Sequence, residues 1–372
     1  MRVLMTGGGT GGHVNPALAI ANTIKENDPN SEIAFVGTPR GIENKLVPAA
    51  GYKLYHIDVM GIRRSLSPKN IKAAYLALTS PMKARRLIKE FKPDIVIGTG
   101  GYVSWPVVRA AADMGIPTAL HESNAVAGMT VRMLAQKVDR IYLNFQKAAE
   151  TLQVPEDKIQ LVGCPLLSKF SSVSKEEARK KLGISDDVRC CILSYGGSMG
   201  AEKVNEAVFD LMENYTGGKE GIYHIHATGT IEKDIAAGIF REKGLDRYDN
   251  IELLEYIYDM PYRMAAADIV ICRAGALTVS ELSLDGKCAV FIPSPNVTDD
   301  QQYKNARVLE EKGAARIIRE NGETGKKLTE CVRELCENEE LIRRSEEKIR
   351  EFGVPDANKR IYLDILKLTE KK

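Results

Sequence analysis

Met1-Arg2-Val3-Leu4-Met5-Thr6-Gly7-Gly8-Gly9-Thr10-Gly11-Gly12-His13 opens the chain and decides its reading. A short apolar run passes directly into glycines, and a helical pattern follows from Pro16 to Glu26, ended by the Asn27-Asp28-Pro29-Asn30 turn. Strand, glycine turn and helix together open a Rossmann-like α/β unit. Backbone without Cβ can approach a ligand closely there, and the helix N-terminus favours negative charge. The apolar start resembles a short signal peptide, but neither a long apolar stretch nor a small-residue cleavage site follows, so it reads as a buried strand. Gly7, Gly9 and Gly12 satisfy GxGxxG, a weak signal alone. A dinucleotide site also needs an acidic residue at the end of the second strand. That strand ends Val36-Gly37-Thr38-Pro39, without a carboxylate, so the NAD reading fails.

Further strands are expected at Ile33–Val36, Tyr52–Ile57, Ile95–Ile97, Thr118–Leu120 and Arg140–Leu143, with helices at Pro39–Ala50, Lys69–Lys89 and Tyr102–Met114. The pattern then restarts. Arg189–Ser194 is a new first strand, followed by a second glycine turn and a helix over Ala201–Glu213; Tyr223–Ala227, Ile251–Leu254, Ile269–Cys272, Ala289–Ile292 and Ala315–Ile318 continue it. The expected fold is α/β: two Rossmann-like, doubly wound parallel-sheet domains facing each other across a cleft. The expected divisions are 1–162, 163–350 and a last helix in 351–372 that crosses back to the first domain, with Gly163-Cys164-Pro165 as the hinge.

Composition narrows the class. The 372 residues are 44% hydrophobic and 27% charged, an ordinary globular balance, and suggest two domains. A formal charge of +2 gives no argument for nucleic acid. No segment reaches the roughly 18 apolar residues of a membrane span. The seven cysteines are scattered without a CxxC pair, which disfavours disulfides and zinc and fits a reducing cytoplasm.

Polar and glycine loops recur at strand ends. Thr10, Gly11, Gly12 and His13 follow the first strand. Gly98-Thr99-Gly100-Gly101-Tyr102 and His121-Glu122-Ser123-Asn124 follow two others, and the three loops read as one anion-binding rim. His13 sits where a helix begins, and its ordinary pKa of about 6.5 suits a base; the plainer reading is a local packing residue. In the second half, Gly196-Gly197-Ser198 opens a helix and suits a phosphate. Cys272-Arg273-Ala274-Gly275-Ala276-Leu277-Thr278-Val279-Ser280-Glu281 follows a strand, and the Glu281 carboxylate can accept both hydroxyls of a ribose. Gln301 and Gln302 stand at a later helix start, where two amides suit sugar hydroxyls.

Taken in order, GGGTGGHVNPALAIA, GTGGYVSW, HESNAVAGMT, YGGSMGA, CRAGALTVSELSLDG and DDQQYKNA resemble the MurG family. These bacterial peptidoglycan enzymes add N-acetylglucosamine to undecaprenyl-pyrophosphoryl-N-acetylmuramoyl-pentapeptide, turning lipid I into lipid II. The resemblance implies a two-domain glycosyltransferase B-type fold, UDP-N-acetylglucosamine in the second domain, inversion to a β-1,4 link, and no protein-held cofactor or metal, although a divalent cation can assist. It implies that Tyr256 and Ile257 lie beside the uracil, and that Ser198 with Gly196 and Gly197 holds the diphosphate, approached by Leu277 and Thr278. Glu281 then binds ribose, and Gln301 and Gln302 the sugar. His13 and Asn124 fall on the catalytic side, with Thr10, Gly11, Gly12, Gly100, Gly101, Tyr102 and Glu122 in the acceptor or diphosphate loops. The chain departs from the family at Cys164 (often Asn), Leu167 (often Arg) and Trp105 (usually small). These departures bear on how donor and acceptor are bound, not on the reaction class.

The implied partners are UDP-N-acetylglucosamine, an undecaprenyl-linked acceptor and the anionic inner leaflet, with the protein peripheral at the cytoplasmic face of the bacterial membrane. Between Val59 and Lys89 lie Arg63, Arg64, Lys69, Lys72, Lys83, Arg85, Arg86 and Lys89 and no acidic residue, with Ile71, Ala74, Tyr75 and Leu78 at helical spacing among them. A basic face beside an apolar stripe suits such a surface; an ordinary helix with solvated lysines and a core stripe is the alternative. Two rival functions share the pattern. One is another UDP-sugar enzyme, such as a UDP-N-acetylglucosamine 2-epimerase, for which Glu122 is the one first-domain candidate carboxylate. The other is a nucleotide-sugar sensor without turnover, against which His13 argues.

Overall fold

The computed structural model describes residues 1–60, 69–167 and 173–370, with backbone alone at 69–74 and 77. The chain divides into two compact units, Met1–Ser168 with Val354–Lys372, and Lys169–Gly353. The first unit holds strands β1 (Arg2–Thr6), β2 (Glu32–Gly37), β3 (Lys53–His56), β4 (Ile95–Gly98), β5 (Thr118–Glu122), β6 (Arg140–Leu143) and β7 (Ile159–Leu161). The second holds β8 (Cys190–Tyr195), β9 (Ile222–Ala227), β10 (Ile251–Leu254), β11 (Ile269–Cys272), β12 (Cys288–Phe291) and β13 (Ala315–Ile317).

Among the described residues the sheet orders are β3-β2-β1-β4-β5-β6-β7 and β10-β9-β8-β11-β12-β13. Every pairing is parallel, Leu4 lying beside Ala34 and Val96, and Leu193 beside Ile225 and Val270. Parallel strands are covered on both faces and so read as continuous apolar runs. Ile95, Val96 and Ile97, like Ile269, Val270 and Ile271, are fully buried. In each unit the order reverses direction beside the first strand, between β1 and β4 and between β8 and β11. Ligands of open α/β sheets bind at such a switch point, beyond the carboxyl ends of the strands.

In the first unit, helices Lys69–Phe91 and Ser104–Asp113 cover one face, burying Ala84, Ile88, Val107 and Val108 against Val96 and Leu120. Helices Gly11–Asn27 and Ala357–Glu370 cover the other, where Val14, Leu18, Ile361 and Ile365 meet Val3, Met5 and Phe35. Full burial of each such side chain contributes about 1.5–3 kcal/mol. The last helix belongs to the first unit. Its Asp364 accepts from Arg140 Nε at 2.8 Å, Tyr142 Oη at 3.0 Å and Gln160 Nε2 at 2.9 Å.

Several expectations change. The first helix starts at Gly11, not Pro16, because an extended Thr10 lets the chain turn helical within the glycine loop. Pro16 is thus interior and gives up one backbone bond. Gly163-Cys164-Pro165, expected as the hinge, packs within the first unit. His121 Nε2 lies 3.0 Å from the Gly163 carbonyl, and Asn358 both donates to the Leu166 carbonyl and accepts from its amide at 3.1 Å. The division falls a few residues further on. His121 and Glu122 belong to strand β5 rather than to the loop after it. The sequence reading does not resolve β7, whose three residues are too few to show a period.

Candidate active site

The loops after β1 and β4 interlock at the switch point of the first unit. Thr99 donates its amide to the Thr6 carbonyl at 2.9 Å and its hydroxyl to the His13 carbonyl at 2.7 Å. Ser104 donates to the Gly100 carbonyl at 2.6 Å. Gly101, at φ +82°, passes so close to Gly8 that a Cβ would lie 2.3 Å from the Gly8 carbonyl oxygen. The loops meet backbone to backbone, and only glycine permits it. The amides of Gly11 and Gly12 stand in the first turn of the helix, where intrahelical acceptors are lacking.

His13 is fixed within this frame. Its Nδ1 lies 3.0 Å from the Gly8 carbonyl and 3.3 Å from Thr10 Oγ1. A carbonyl only accepts, so Nδ1 carries the hydrogen and Nε2 of the neutral ring keeps its lone pair. Nε2 faces Gly100, where a Cβ would lie 2.9 Å from it. The ring thus has one nitrogen held and the other without a hydrogen-bond partner among the described residues, as a base requires.

Glu122, expected in an acceptor or diphosphate loop, closes the strand before that loop. It is buried at the end of β5, and its carboxylate accepts from the Asn124 amide at 2.9 Å, Asn124 Nδ2 at 3.0 Å and the Gly128 amide at 2.7 Å. Burial raises its pKa, and these donors, with a smaller contribution from His13, only partly offset the rise. It organises the Asn124 loop rather than lining an open rim. Tyr102 is well exposed, and Trp105 is partly buried against the core.

In the second unit, Gly196, Gly197 and Ser198 follow β8 and precede helix Glu202–Leu211. The Thr230 amide donates to the Ser198 carbonyl at 3.2 Å and the Ile231 amide to that of Met199 at 3.1 Å, tying this loop to the one after β9. Ser198 itself is exposed. A cavity of about 420 Å³ opens here, lined by Gly196, Lys203, Arg273, Ser294, Gln302 and Glu320 among others. Gln302 Oε1 accepts from the Ser294 amide at 2.8 Å, which turns its Nε2 donors outward. Gln301 begins the same helix, after Asp299 and Asp300, both at positive φ.

Leu277 and Thr278 lie half-buried in the first turn of helix Ala276–Asp285, and Glu281 in its second. Glu281 makes no hydrogen bond or ion pair among the described residues, and burial, then the charge of Asp285, raises its pKa to about 7. Its charge is felt at Tyr195 and Cys272, the last residues of β8 and β11. Ile257 is buried, while the rings of Tyr256 and Tyr258 stand partly or fully exposed, 5.0 Å apart. The lining of the cavity takes in Gly196 and Gln302 but not Tyr256, Ile257 or Glu281.

Two groups escape sequence reading. Arg273 donates to the Ile292 carbonyl at 2.9 Å and to Glu320 at 2.5 Å on the cavity wall; its position in the CRAGA run was the available signal. Glu43, fully buried, accepts from the loop after β1, and nothing in its local sequence announces it. Among the described residues no group of three or more His, Cys, Asp or Glu could hold a metal ion.

Helix Lys69–Phe91 exposes Tyr75, Leu78 and Met82, each more than 60% accessible and spaced along one face. Leu78 and Tyr75 are therefore not core. Lys83 pairs with Asp58 at 3.1 Å and Arg85 with Asp113 at 3.7 Å; Arg86 and Lys89 form no ion pair among the described residues. Arg63 and Arg64 lie outside the described residues, as do the side chains of Lys69, Lys72, Ile71 and Ala74. No described helix is long and apolar enough to cross a membrane.

Two parallel α/β units, each with a glycine loop and a helix start at its switch point, define a two-domain α/β protein of the glycosyltransferase B-type fold. Residues 3–143 match the N-terminal domain of glycosyltransferase family 28 and residues 191–361 its C-terminal domain, and the chain belongs to that family. Over its whole length it is 42% identical to the UDP-N-acetylglucosamine–N-acetylmuramyl-(pentapeptide) pyrophosphoryl-undecaprenol N-acetylglucosamine transferase of Acetivibrio thermocellus, covering 99% of that protein. A crystal structure of Acinetobacter baumannii MurG is similar at a TM-score of 0.78 and 30% identity, over 98% of this chain and 99% of that one. A UDP-GlcNAc 2-epimerase from Neisseria meningitidis, at a TM-score of 0.67, 16% identity and 99% and 100% coverage, shares the fold alone.

Proposed function

We propose that this chain moves N-acetylglucosamine from UDP-N-acetylglucosamine to the 4-hydroxyl of lipid-linked N-acetylmuramoyl-pentapeptide, making lipid II from lipid I. Full-length identity of 42% to a transferase of that name carries the reading, and the epimerase, at 16%, supports only the shared fold. His13 Nε2 takes the proton of the attacking hydroxyl, the oxygen bonds to the anomeric carbon from the face opposite UDP, and the bond to the diphosphate breaks with inversion. The leaving charge falls on the amides of Gly196, Gly197 and Ser198 and the helix start behind them. Tyr256 and Ile257 take the uracil, Glu281 the ribose, Leu277 and Thr278 the diphosphate side, and Gln301 and Gln302 the sugar. Thr10, Gly11, Gly12, Gly100, Gly101, Tyr102 and Asn124 serve the acceptor. Incubation with UDP-N-acetylglucosamine and a lipid I analogue should release UDP and form the disaccharide. Donor binding without either product would leave a sensor, and formation of the 2-epimer would leave an epimerase.

The second part of the proposal is peripheral attachment to an anionic membrane surface on the cytoplasmic side. Three large apolar side chains exposed on one helix face, beside Arg86 and Lys89, support it. Apolar burial and cation attraction act together at such a surface.

A further inference from the structure

His13 bonds to one side of a peptide group whose other side is also taken. The Gly8 carbonyl that receives His13 Nδ1 and the amide of Gly9 belong to the same planar unit. The Gly9 amide donates to Glu43 Oε2 at 3.0 Å. Carboxylate, peptide and imidazole therefore stand in series.

The carboxylate end is built for an anion. Glu43 is 0% exposed and forms no ion pair among the described residues. Burying an unpaired carboxylate is costly unless donors surround it. Besides Gly9, it accepts from the Thr38 amide at 2.8 Å and Thr38 Oγ1 at 2.7 Å. Burial pushes its pKa up, but these donors, the Gly9 amide foremost, outweigh that and leave it below the ordinary carboxylate value. The chain is also shaped around it. A Cβ on Gly8 would lie 2.7 Å from Oε1, and one on Gly41 2.0 Å from Oε2.

We infer that Glu43 is a positioning residue for the transfer reaction, acting on His13 through the Gly8–Gly9 peptide. An anion on the amide side polarises the peptide and makes its carbonyl a better acceptor, since hydrogen bonds in series strengthen one another. The carbonyl keeps the proton of the neutral ring on Nδ1 and leaves Nε2 to the acceptor hydroxyl. When Nε2 takes that proton, the imidazolium formed has the charge of Glu43 one peptide away and also feels Glu122 at the end of β5. The arrangement does for His13 what a directly bonded carboxylate does in a Ser-His-Asp triad, with a peptide group inserted between the partners. The kinetic part rests on His13 being the base; the titration part does not.

The test is nitrogen-15 NMR of ring-labelled histidine in the intact protein, with turnover measured on the same samples. In the wild type, neutral His13 should be the Nδ1–H tautomer; the Nε2–H tautomer would overturn the relay without any variant. Glu43→Gln should lower the His13 pKa by at most about one unit, because one of two anions that favour the charged ring is gone while the other, Glu122 on β5, remains. It should also lower kcat by about tenfold or more with donor KM unchanged, and move the acidic limb of the pH profile down. Thr38→Val, which loosens Glu43 but keeps its charge, should leave the His13 pKa near that of the wild type. A Glu43→Gln protein that melts earlier yet titrates His13 as the wild type does would mark Glu43 as merely structural. If His13→Ala turns over normally while the Glu43→Gln titration shifts as stated, the base reading fails and the relay stands.

Discussion

The heaviest demand on any one residue falls on His13. General-base catalysis contributes about 10²–10⁴-fold, so His13→Ala should lower kcat by that order and leave donor affinity nearly unchanged, because the proposed donor contacts lie in the other unit. His13→Asn should do no better, since it cannot take the proton. Single-turnover rates set against calorimetric donor affinity decide the point, and near-wild-type turnover in a folded His13→Ala protein would remove the base role. Glu281 makes a pH prediction. Its pKa of about 7 lies above the ordinary value, so the folded state holds that proton more tightly than the unfolded chain does. The favourable difference is complete below about 4.5 and is lost as pH rises through about 7. Above 7 the bare carboxylate opposes folding. Glu281→Gln should therefore gain about 1–3 kcal/mol at pH 8 relative to pH 5 in urea melts. It should also lose roughly 1.5–3 kcal/mol of donor affinity at pH 8, as a charged hydrogen-bonding partner disappears. Equal melts at both pH values would mean that the carboxyl is not desolvated. The glycine loops and the CRAGALTVSEL run were legible in the sequence because each is a continuous segment with its own chemistry. Glu43 was not, because its partner Gly9 is remote in sequence and its burial is a tertiary fact.

At the scale of elements, most strands were legible, since continuous apolar runs of four to six residues survive any shift of boundary. What failed was where elements end. Strand β5 runs on through Glu122, and this turns an expected loop carboxylate into a buried acceptor. Helix Lys69–Phe91 shows the opposite case, in which the element was legible but its outward face was not. Periodicity finds a stripe without saying whether core or solvent lies beneath it. The exposure of Tyr75, Leu78 and Met82 favours a surface that something apolar covers. Changing all three to Ser should weaken binding to anionic vesicles, while activity on a water-soluble acceptor survives. Replacing Lys69, Lys72, Lys83 and Arg86 with Gln should weaken vesicle binding by up to about 1 kcal/mol per charge, and less at Lys83, which already faces Asp58. Vesicle co-sedimentation at two salt concentrations separates the contributions, because only the charge contribution is screened. Unchanged co-sedimentation in both variants would leave the helix an ordinary solvated one.

For the whole molecule, the restart of the strand–glycine–helix pattern at Arg189 announced two sheets, and each has its own core. The return of the last helix to the first unit was expected from the sequence, but its anchors were not legible, because they are remote in sequence. They carry the last prediction. Asp364 is 4% exposed and is held by Arg140 and Tyr142 on β6 and Gln160 on β7. Removing one member of a buried ion pair leaves the other charge uncompensated, at about 3–5 kcal/mol. Asp364→Ala should thus destabilise the first unit, whose sheet the last helix covers. The second unit, with the cavity proposed for the donor, contains none of these contacts. Ligand binding stabilises the folded form it binds, by mass action. In calorimetry, UDP should raise the transition of the second unit in wild type and variant alike, and Asp364→Ala should lower the transition that UDP leaves in place. A single transition moved equally by the nucleotide and by the substitution would show that the two units melt as one, and that the last helix serves both.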